Sequence, residues 1–348
     1  MKTVKRLIST VCFLLILVVL LNGLTFITRD KSESNHILSY YDEEENSLDV
    51  VFVGSSHTMC SVYPMELYHE YGITSYDCAS SDLALPQVYY LVVEALKTQK
   101  PKILVLDISG VAWQNVKSGP PEFAHIQLDN MKWSLNKMTA INDLFENPGD
   151  RLEYYFPLLK FHTRWKELIL KFYTRWKELS PKDFKSPKDF ERTTDVSKGA
   201  YISEVVLENP EPVEIMPEDY VGQISEYAEA YLRKALDYCC SQNVQVLLLN
   251  PPSLEDETDQ RKYNAVYAIA EEYGFPYLNL MHHWDDIGFD YTTDFRDTGH
   301  CNRSGAEKVT AYMGKFLKEN YELPDRREDS TYATIWNDAY NQYVSRYF

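Results

Sequence analysis

Short apolar runs that do not alternate with polar residues recur at wide intervals along the chain. The runs are DVVFV at 49–53, ILVLD at 103–107, VQVLLLN at 244–250 and PYLNL at 276–280. Such runs are typical of strands that are buried on both faces of a sheet. Between them, apolar residues recur at helical spacing over 85–97, 224–242 and 263–273. This alternation predicts an α/β domain in which a parallel sheet is flanked by helices, with ligands bound beyond the carboxyl ends of the strands.

A longer apolar run lies at the amino terminus. From Leu7 to Ile27 the chain carries no charge, and lysine and arginine residues precede this run. About 20 apolar residues suffice to cross a bilayer. A cleaved signal peptide ends in a small-x-small site, whereas here Gly23 is the one small residue near the end of the run. We therefore expect residues 1–31 to form an uncleaved signal anchor with a cytoplasmic amino terminus, so that the rest of the chain lies outside the membrane.

The folded domain is expected to span 49–325, after a polar and acidic spacer at 32–48. A region between about 112 and 216 interrupts its alternation of strands and helices. There, FHTRWKEL is followed closely by FYTRWKEL. Two copies are too few for a solenoid, so we expect a helical insertion that carries a local duplication. The aromatic segment at 326–348 predicts a terminal helix that docks on the domain.

Composition narrows the classes of function. The net charge of −17 over 348 residues argues against the basic surface that nucleic-acid binding requires. The six cysteines show no spacing that would hold zinc, and the adjacent His282 and His283 lie on a loop that is a poor chelating arrangement. We therefore expect no metal ion and no other cofactor. A disulfide between Cys60 or Cys78 and Cys301 stays open, because the chain is predicted to lie in an oxidising compartment.

Two polar segments carry the candidate chemistry. The sequence GSSH follows the first predicted strand, which places Ser56 at the carboxyl edge of the sheet, where backbone N–H groups also point outward. Near the other end of the domain, Asp297 and His300 stand three residues apart on a loop before a helix. A carboxylate so close in sequence can orient the imidazole to take a proton from Ser56. Each segment alone is also compatible with ordinary turn and helix-capping chemistry.

Together, a G-[DS]-S block after the first strand and a DxxH block before the last helix resemble the SGNH, or GDSL-type, superfamily of esterases and acyltransferases. The resemblance implies a flavodoxin-like three-layer sandwich in which Ser56 is the nucleophile, and His300 and Asp297 complete a catalytic triad. The GSSH form, the anchor and the wording GHCNRSGA are similar to one branch of that superfamily. This branch contains the membrane-anchored D-alanyl transfer protein of teichoic acids and the alginate O-acetylation proteins, which work beside multipass membrane O-acyltransferases.

The chain departs from the family pattern at the oxyanion hole. The glycine expected after the second strand is replaced by Ser80 or Ser81, and the asparagine expected after the next strand is missing. We expect the backbone N–H of Ser56, with Ser81 or Asn250, to supply the donors that this hole needs. His57, next to the nucleophile, is a candidate contact to substrate.

The resemblance implies an extracytoplasmic, membrane-anchored serine esterase or O-acyltransferase that forms an acyl-serine. It would add or remove acyl groups, acetyl above all, on a cell-surface polysaccharide or a teichoic-acid-like polymer, with a multipass membrane O-acyltransferase as a further partner. The sequence leaves hydrolysis and transfer open. The alternative is a non-catalytic accessory protein that binds glycan or docks a membrane O-acyltransferase.

Overall fold

The computed structural model of the protein describes residues 2–28, 34–113, 115–157 and 195–348. Five parallel strands form its central sheet: β1 (Val50–Gly54), β2 (Ser75–Ala79), β3 (Ile103–Asp107), β4 (Gln245–Asn250) and β5 (Tyr277–Asn279). Their order across the sheet is β2-β1-β3-β4-β5. The chain thus leaves β1 to one side and returns as β3 on the other, which creates a crevice at the carboxyl ends of β1 and β3. The prediction of a parallel α/β sheet is confirmed.

Helices precede, separate and follow the strands. They are α1 (Lys2–Thr28), α2 (Ser34–Tyr40), α3 (Ser56–Met59), α4 (Pro64–Tyr71), α5 (Leu85–Ala95), α6 (Pro121–Asn130), α7 (Leu135–Leu144), α8 (Pro148–Tyr155), α9 (Glu226–Ser241), α10 (Glu257–Tyr273), α11 (Trp284–Ile287), α12 (Arg303–Asn320) and α13 (Ser330–Tyr347). Short 3-10 turns follow β3 at Ser109–Ala112 and β5 at Leu280–His283. A small antiparallel pair, β6 (Phe295–Asp297) and β7 (His300–Cys301), precedes α12.

The two faces of the sheet are covered by different helices. Successive residues of a strand point to opposite faces, so each strand contributes to two hydrophobic clusters. Val51, Leu104 and Leu248 pack with residues of α5, α9 and α10 on one face. Phe52 and Val105 pack with residues of α4 and α12 on the other. Burial on both faces explains why β1, β3 and β4 are nearly continuous apolar runs.

The strand β2 has no such run to mark it. Its sequence SYDCA contains Ser75 and Asp77, yet every residue of the strand is buried. A stretch of chain from the later part of the region predicted as an insertion covers this edge of the sheet, where the Asp77 N–H donates to the Lys198 carbonyl at 2.9 Å. Burial of β2 therefore depends on a contact that is distant in sequence.

The predicted spacer at 32–48 is wrong over its described part, because residues 34–48 belong to the folded domain. Ile37, Tyr40 and Leu48 are at most 3% exposed. The Tyr40 hydroxyl donates to the Ala95 carbonyl at 2.8 Å, and His36 Nδ1 lies 2.6 Å from the Asp195 carboxylate. A few apolar residues in a short polar segment thus dock α2 on the edge of the sheet.

The described residues include helices both in the region predicted as an insertion and at the predicted terminal helix. The helices α6 to α8 lie within 112–157, whereas residues 195–225 contain no helix or strand. The duplicated TRWKEL segment falls outside the described residues. The helix α13 packs on α4 through the buried Trp336, whose ring lies 5.2 Å from that of Tyr68.

The amino-terminal helix α1 contains the stretch Thr3–Leu21, which is long and apolar enough to cross a membrane and is not buried against the domain. All six cysteines are free thiols, so the structure does not contain the disulfide that the sequence left open. Buried thiols behave as small apolar side chains.

Candidate active site

The carboxyl end of β1 brings Ser56 to the two residues with which the sequence predicts it to act. His300 Nε2 lies 2.7 Å from Ser56 Oγ, and His300 Nδ1 lies 2.7 Å from an oxygen of Asp297. A carboxylate can only accept a hydrogen bond, so the ring hydrogen belongs on Nδ1 and the lone pair of Nε2 faces the serine hydroxyl. Hydroxyl, imidazole and carboxylate thus form one hydrogen-bonded chain across 244 residues of sequence.

The antiparallel pair β6 and β7 explains the spacing of Asp297 and His300. The two residues are directly paired across this hairpin, with Thr298 and Gly299 forming its turn. Directly paired residues project their side chains to the same face. The DxxH spacing therefore follows from a two-residue hairpin turn. The main-chain N–H of Leu254 donates to the Thr298 carbonyl at 2.6 Å and ties this turn to the loop after β4.

Asp297 is held as a carboxylate by its surroundings. Partial burial raises its pKa, but the hydrogen bond and charge of His300, the Gly299 N–H at 3.0 Å and the nearby Arg296 together bring the pKa below the ordinary value. Arg296 Nε lies 3.2 Å from the second carboxylate oxygen. An ionised Asp297 keeps the His300 ring in the orientation that a general base needs.

The two serines of the GSSH segment have different environments. Ser56 begins α3 and is half-buried, whereas Ser55 is 2% exposed and caps that helix, its hydroxyl accepting from the His57 N–H at 3.2 Å. The first N–H groups of a helix have no acceptor within the helix, so the Ser56 N–H is available to a ligand oxygen. The geometry thus assigns the reactive position to Ser56 and a structural one to Ser55.

Asp107, at the end of β3, accepts hydrogen bonds that hold residues 55–58 in place. One carboxylate oxygen accepts from the N–H and the hydroxyl of Ser55 and from the hydroxyl of Thr58, each at 2.9 Å. The other accepts from the Ser109 N–H at 2.8 Å. Gly54 allows this approach, because a Cβ there would lie 2.2 Å from the Asp107 Cβ. Asp107 follows the apolar run ILVL at the carboxyl edge, a signal that could have identified it from sequence.

A cleft of about 380 Å³ opens above Ser56 and His300. Phe123 of α6 and Tyr201 form aromatic walls, and Ser81, Asp82 and Arg296 bring polar groups. Asp82 has a left-handed backbone with φ of 59°. Burial, with Glu122 nearby, raises the pKa of its carboxyl. The region predicted as an insertion thus contributes two walls of the cleft, Phe123 and Tyr201, which the sequence did not predict.

The structure separates the two candidate oxyanion donors. Ser81 lies on the loop after β2 and lines the cleft beside Ser56. Asn250, at the end of β4, does not line it. Its buried amide donates to the side chain of Asn279 at 3.0 Å. We therefore retain the Ser56 N–H and Ser81 and withdraw Asn250, since a strand neighbour engages it below the rim of the sheet.

His57, the candidate substrate contact, also does not line the cleft. Its side chain is 14% exposed, and its ring lies 5.1 Å from that of His300, measured between ring centres. Nδ1 is 3.2 Å from the Ser55 hydroxyl, and Nε2 points toward Glu255 at 3.8 Å. His57 therefore lies behind His300, between the two segments that carry Ser56 and the pair Asp297 and His300.

Comparison with models of known protein families gave no match, and comparison with curated proteins gave no significant match. The chemistry of the site is accordingly argued from its geometry.

Proposed function

We propose that the protein is a membrane-anchored, extracytoplasmic serine esterase or O-acyltransferase of the SGNH type, which adds or removes acyl groups on a cell-surface polymer. The observation that carries the proposal is the chain from Ser56 through His300 to Asp297, which opens into a cleft at the carboxyl edge of a parallel sheet. Such a chain is the arrangement by which a serine hydroxyl is activated on several unrelated folds.

In the proposed reaction His300 Nε2 takes the hydroxyl proton as Ser56 Oγ bonds to the ester carbonyl carbon. The carbonyl electrons move to oxygen, and the resulting anion is stabilised by the Ser56 N–H and a donor from Ser81. His300 then gives its proton to the leaving alkoxide as the carbon–oxygen bond breaks, which leaves an acyl-serine. Water or a polymer hydroxyl, deprotonated by His300, takes the acyl group in the second half. These two acceptors distinguish the esterase from the transferase.

The cleft fits a short acyl group on a sugar-like unit. Its volume of about 380 Å³ is near the lower limit of small-ligand sites. The rings of Phe123 and Tyr201 offer flat apolar surfaces at its walls, and the Tyr201 hydroxyl adds a polar tip. The stretch Thr3–Leu21 supports attachment to a membrane. An anchored domain would meet a surface polymer, or an acyl group delivered by a multipass membrane O-acyltransferase, without diffusing.

Hydrolysis of p-nitrophenyl acetate by the detergent-purified full chain tests the proposal. We expect an initial burst of nitrophenol and a steady rate that Ser56→Ala and His300→Asn each lower by about 1,000-fold or more. The matched control is His283→Asn, because His283 lies away from the cleft and bonds Asp286. A wild-type rate in Ser56→Ala would refute the proposal. A wild-type protein that neither turns over nor becomes acylated would favour the accessory function.

A further inference from the structure

Behind the triad lies a second pair of ionisable groups, which the proposed reaction does not use. His57 follows the nucleophile on α3, and Glu255 lies on the loop between β4 and α10. His57 Nε2 is 3.8 Å from Glu255 Oε1. This nitrogen is buried and has no hydrogen-bond partner among the described residues. A buried polar atom without a partner costs free energy, so its position needs an explanation.

The hydrogen bonds around Ser55 fix where the His57 ring hydrogen lies. The Ser55 hydroxyl has one hydrogen, and the Asp107 carboxylate at 2.9 Å can only accept it. A hydrogen bond between His57 Nδ1 and Ser55 Oγ, which are 3.2 Å apart, then requires Nδ1 to donate, alongside the His57 N–H and the Ser109 hydroxyl that also contact this oxygen. The neutral ring is therefore protonated on Nδ1 and presents a bare lone pair on Nε2 to Glu255.

One carboxyl oxygen of Glu255 accepts hydrogen bonds, and the other faces the lone pair of His57 Nε2. Its Oε2 accepts from the hydroxyl of Ser253 at 3.1 Å and from the hydroxyl of Tyr263, whereas Oε1 faces His57. Burial raises the pKa of Glu255 to about 7 and lowers that of His57 to about 4. Below about pH 7 the carboxyl is thus mostly protonated, and its hydrogen belongs on Oε1, because Oε2 accepts two hydrogen bonds. Approach of the two atoms by about 1 Å would form an O–H···N hydrogen bond.

The other charged and titratable groups that face the pair come from four elements. Asp107 of β3 faces both members, Asp259 and Tyr263 of α10 face Glu255, and Asp297 of β6 and His300 of β7 face His57. The two aspartates nearest Glu255 raise its pKa, in the same direction as burial. Because none of these groups is a cation placed against Glu255, a proton is the group that neutralises it.

The pair contacts both segments that carry the triad. His57 adjoins Ser56, and its Nε2 would lie 3.4 Å from a Cβ at Gly299, in the turn between the other two triad residues. The residue before Glu255, Leu254, donates its N–H to the carbonyl of Thr298 in the same turn. Movement of the Glu255 loop therefore displaces the turn that holds His300.

We propose that His57 and Glu255 share one proton and act as a positioning pair that holds the turn of the catalytic histidine against the nucleophile helix. This role rests on the proposed acyl-transfer function and regulates the same site. When the shared proton leaves, a carboxylate faces a lone pair. The repulsion either displaces the Glu255 loop or moves the ring hydrogen to Nε2, which breaks the bond to Ser55. Both responses loosen the contact between Ser56 and His300, so activity falls as the pH rises through neutrality.

The test is the pH dependence of kcat/KM for p-nitrophenyl acetate in the wild-type protein and Glu255→Gln. Glutamine imitates the protonated acid, because its amide can donate to His57 Nε2 at every pH. We expect wild-type activity to fall about tenfold for each pH unit above 7, and the variant to keep its activity to pH 9. His57→Ala should lower kcat at all pH values with little change in KM. A Glu255→Gln profile with the wild-type alkaline fall would overturn the proposal.

An activity-independent measurement separates this proposal from the proposed function. Glu255 has a raised pKa in the folded state, so it binds more protons folded than unfolded, and its contribution to stability is lost as the pH rises from about 4 to about 7. We expect the urea midpoint of the wild-type protein to fall relative to Glu255→Gln across this range. If the protein proves inactive, the proposed function fails. If the urea midpoints of the wild-type protein and Glu255→Gln change in parallel with pH, the proposal of a shared proton is wrong.

Discussion

Replacing Asp107 by asparagine should unfold the segment that carries Ser55 and Ser56, whereas the same replacement at Asp77 should not. Both aspartates are buried in strands that neighbour β1, at 1% exposure or less. Asp107 accepts four hydrogen bonds, two of them from Ser55. Neither carboxyl oxygen of Asp77 has a hydrogen-bond partner among the described residues. Burial, together with the charge of Asp107, raises the pKa of Asp77 well above its ordinary value, so its carboxyl is neutral.

The magnitude follows from the bonds that each variant changes. A hydrogen bond to a charged group contributes about 1 kcal/mol more than one to a neutral group, and a buried donor without an acceptor costs about 1–3 kcal/mol. In Asp107→Asn three bonds lose the charge, and the Ser109 N–H faces an amide that cannot accept. These losses add to about 4–6 kcal/mol, and relief of the buried charge reduces them to about 2–5 kcal/mol. In Asp77→Asn an uncharged group replaces one of nearly equal shape, so at about pH 4, before the pH-dependent difference develops, we expect a change of at most about 1 kcal/mol.

The assay is urea unfolding of the detergent-purified full chain, followed by circular dichroism at two pH values. A raised pKa in the folded state means that the wild-type protein loses stability as the pH rises from about 4. Asp77→Asn should therefore gain stability relative to the wild-type protein between pH 5 and pH 8. An Asp77→Asn variant destabilised as strongly as Asp107→Asn would refute the assignment of charge to these two sites. An Asp107→Asn variant within about 1 kcal/mol of the wild type would do the same.

Further predictions concern the close approach at β1, an ion pair and the anchor. Gly54→Ala should lower the free energy of unfolding by more than about 3 kcal/mol, because the new Cβ would overlap that of Asp107. Gly288→Ala, at a left-handed but open position, should lower it by about 1 kcal/mol in the same urea titration. Arg326→Ala should lower the free energy of unfolding by about 3–5 kcal/mol, since it leaves Asp49, 2% exposed and bound by two 2.7 Å bonds, without its partner. Deletion of α1 should move the protein from the membrane to the soluble fraction on ultracentrifugation, and retention in the membrane would contradict the anchor.

The parts of the fold that sequence predicts are those in which neighbouring residues share one environment. The strands β1, β3 and β4 are buried on both faces, so each is a continuous apolar run. The strand β2 is equally buried, but Asp77 interrupts its pattern and Lys198 covers it from a distant part of the chain. The sequence does not predict the docking of α2 for the same reason, because Ile37 and Tyr40 lie in a short polar segment and the Tyr40 hydroxyl bonds the distant Ala95 carbonyl.

The residues of the candidate site also differ in how far local sequence predicts them. The positions of Ser56, Asp297 and His300 follow from strand ends and a hairpin turn, which are local features with recognisable residue patterns. The support beneath them is not local: Asp107 approaches α3 from the end of β3, and Glu255 approaches it from the loop after β4. Asp107 stands at a recognisable strand end, but sequence spacing holds no information about which strand end lies beside which, so the contacts of both carboxylates with α3 are found only once the strand order is known.

The identity of the residue that reacts with a fluorophosphonate tests the central claim most directly. The full chain would be treated with the probe and digested, and the modified peptide would be sequenced by mass spectrometry, with Ser56→Ala and the structural variant Ser55→Ala in parallel. We predict one modified residue, Ser56, with labelling that is absent from Ser56→Ala and retained in part by Ser55→Ala. Modification of another serine, or equal labelling of Ser56→Ala and the wild-type protein, would contradict the account.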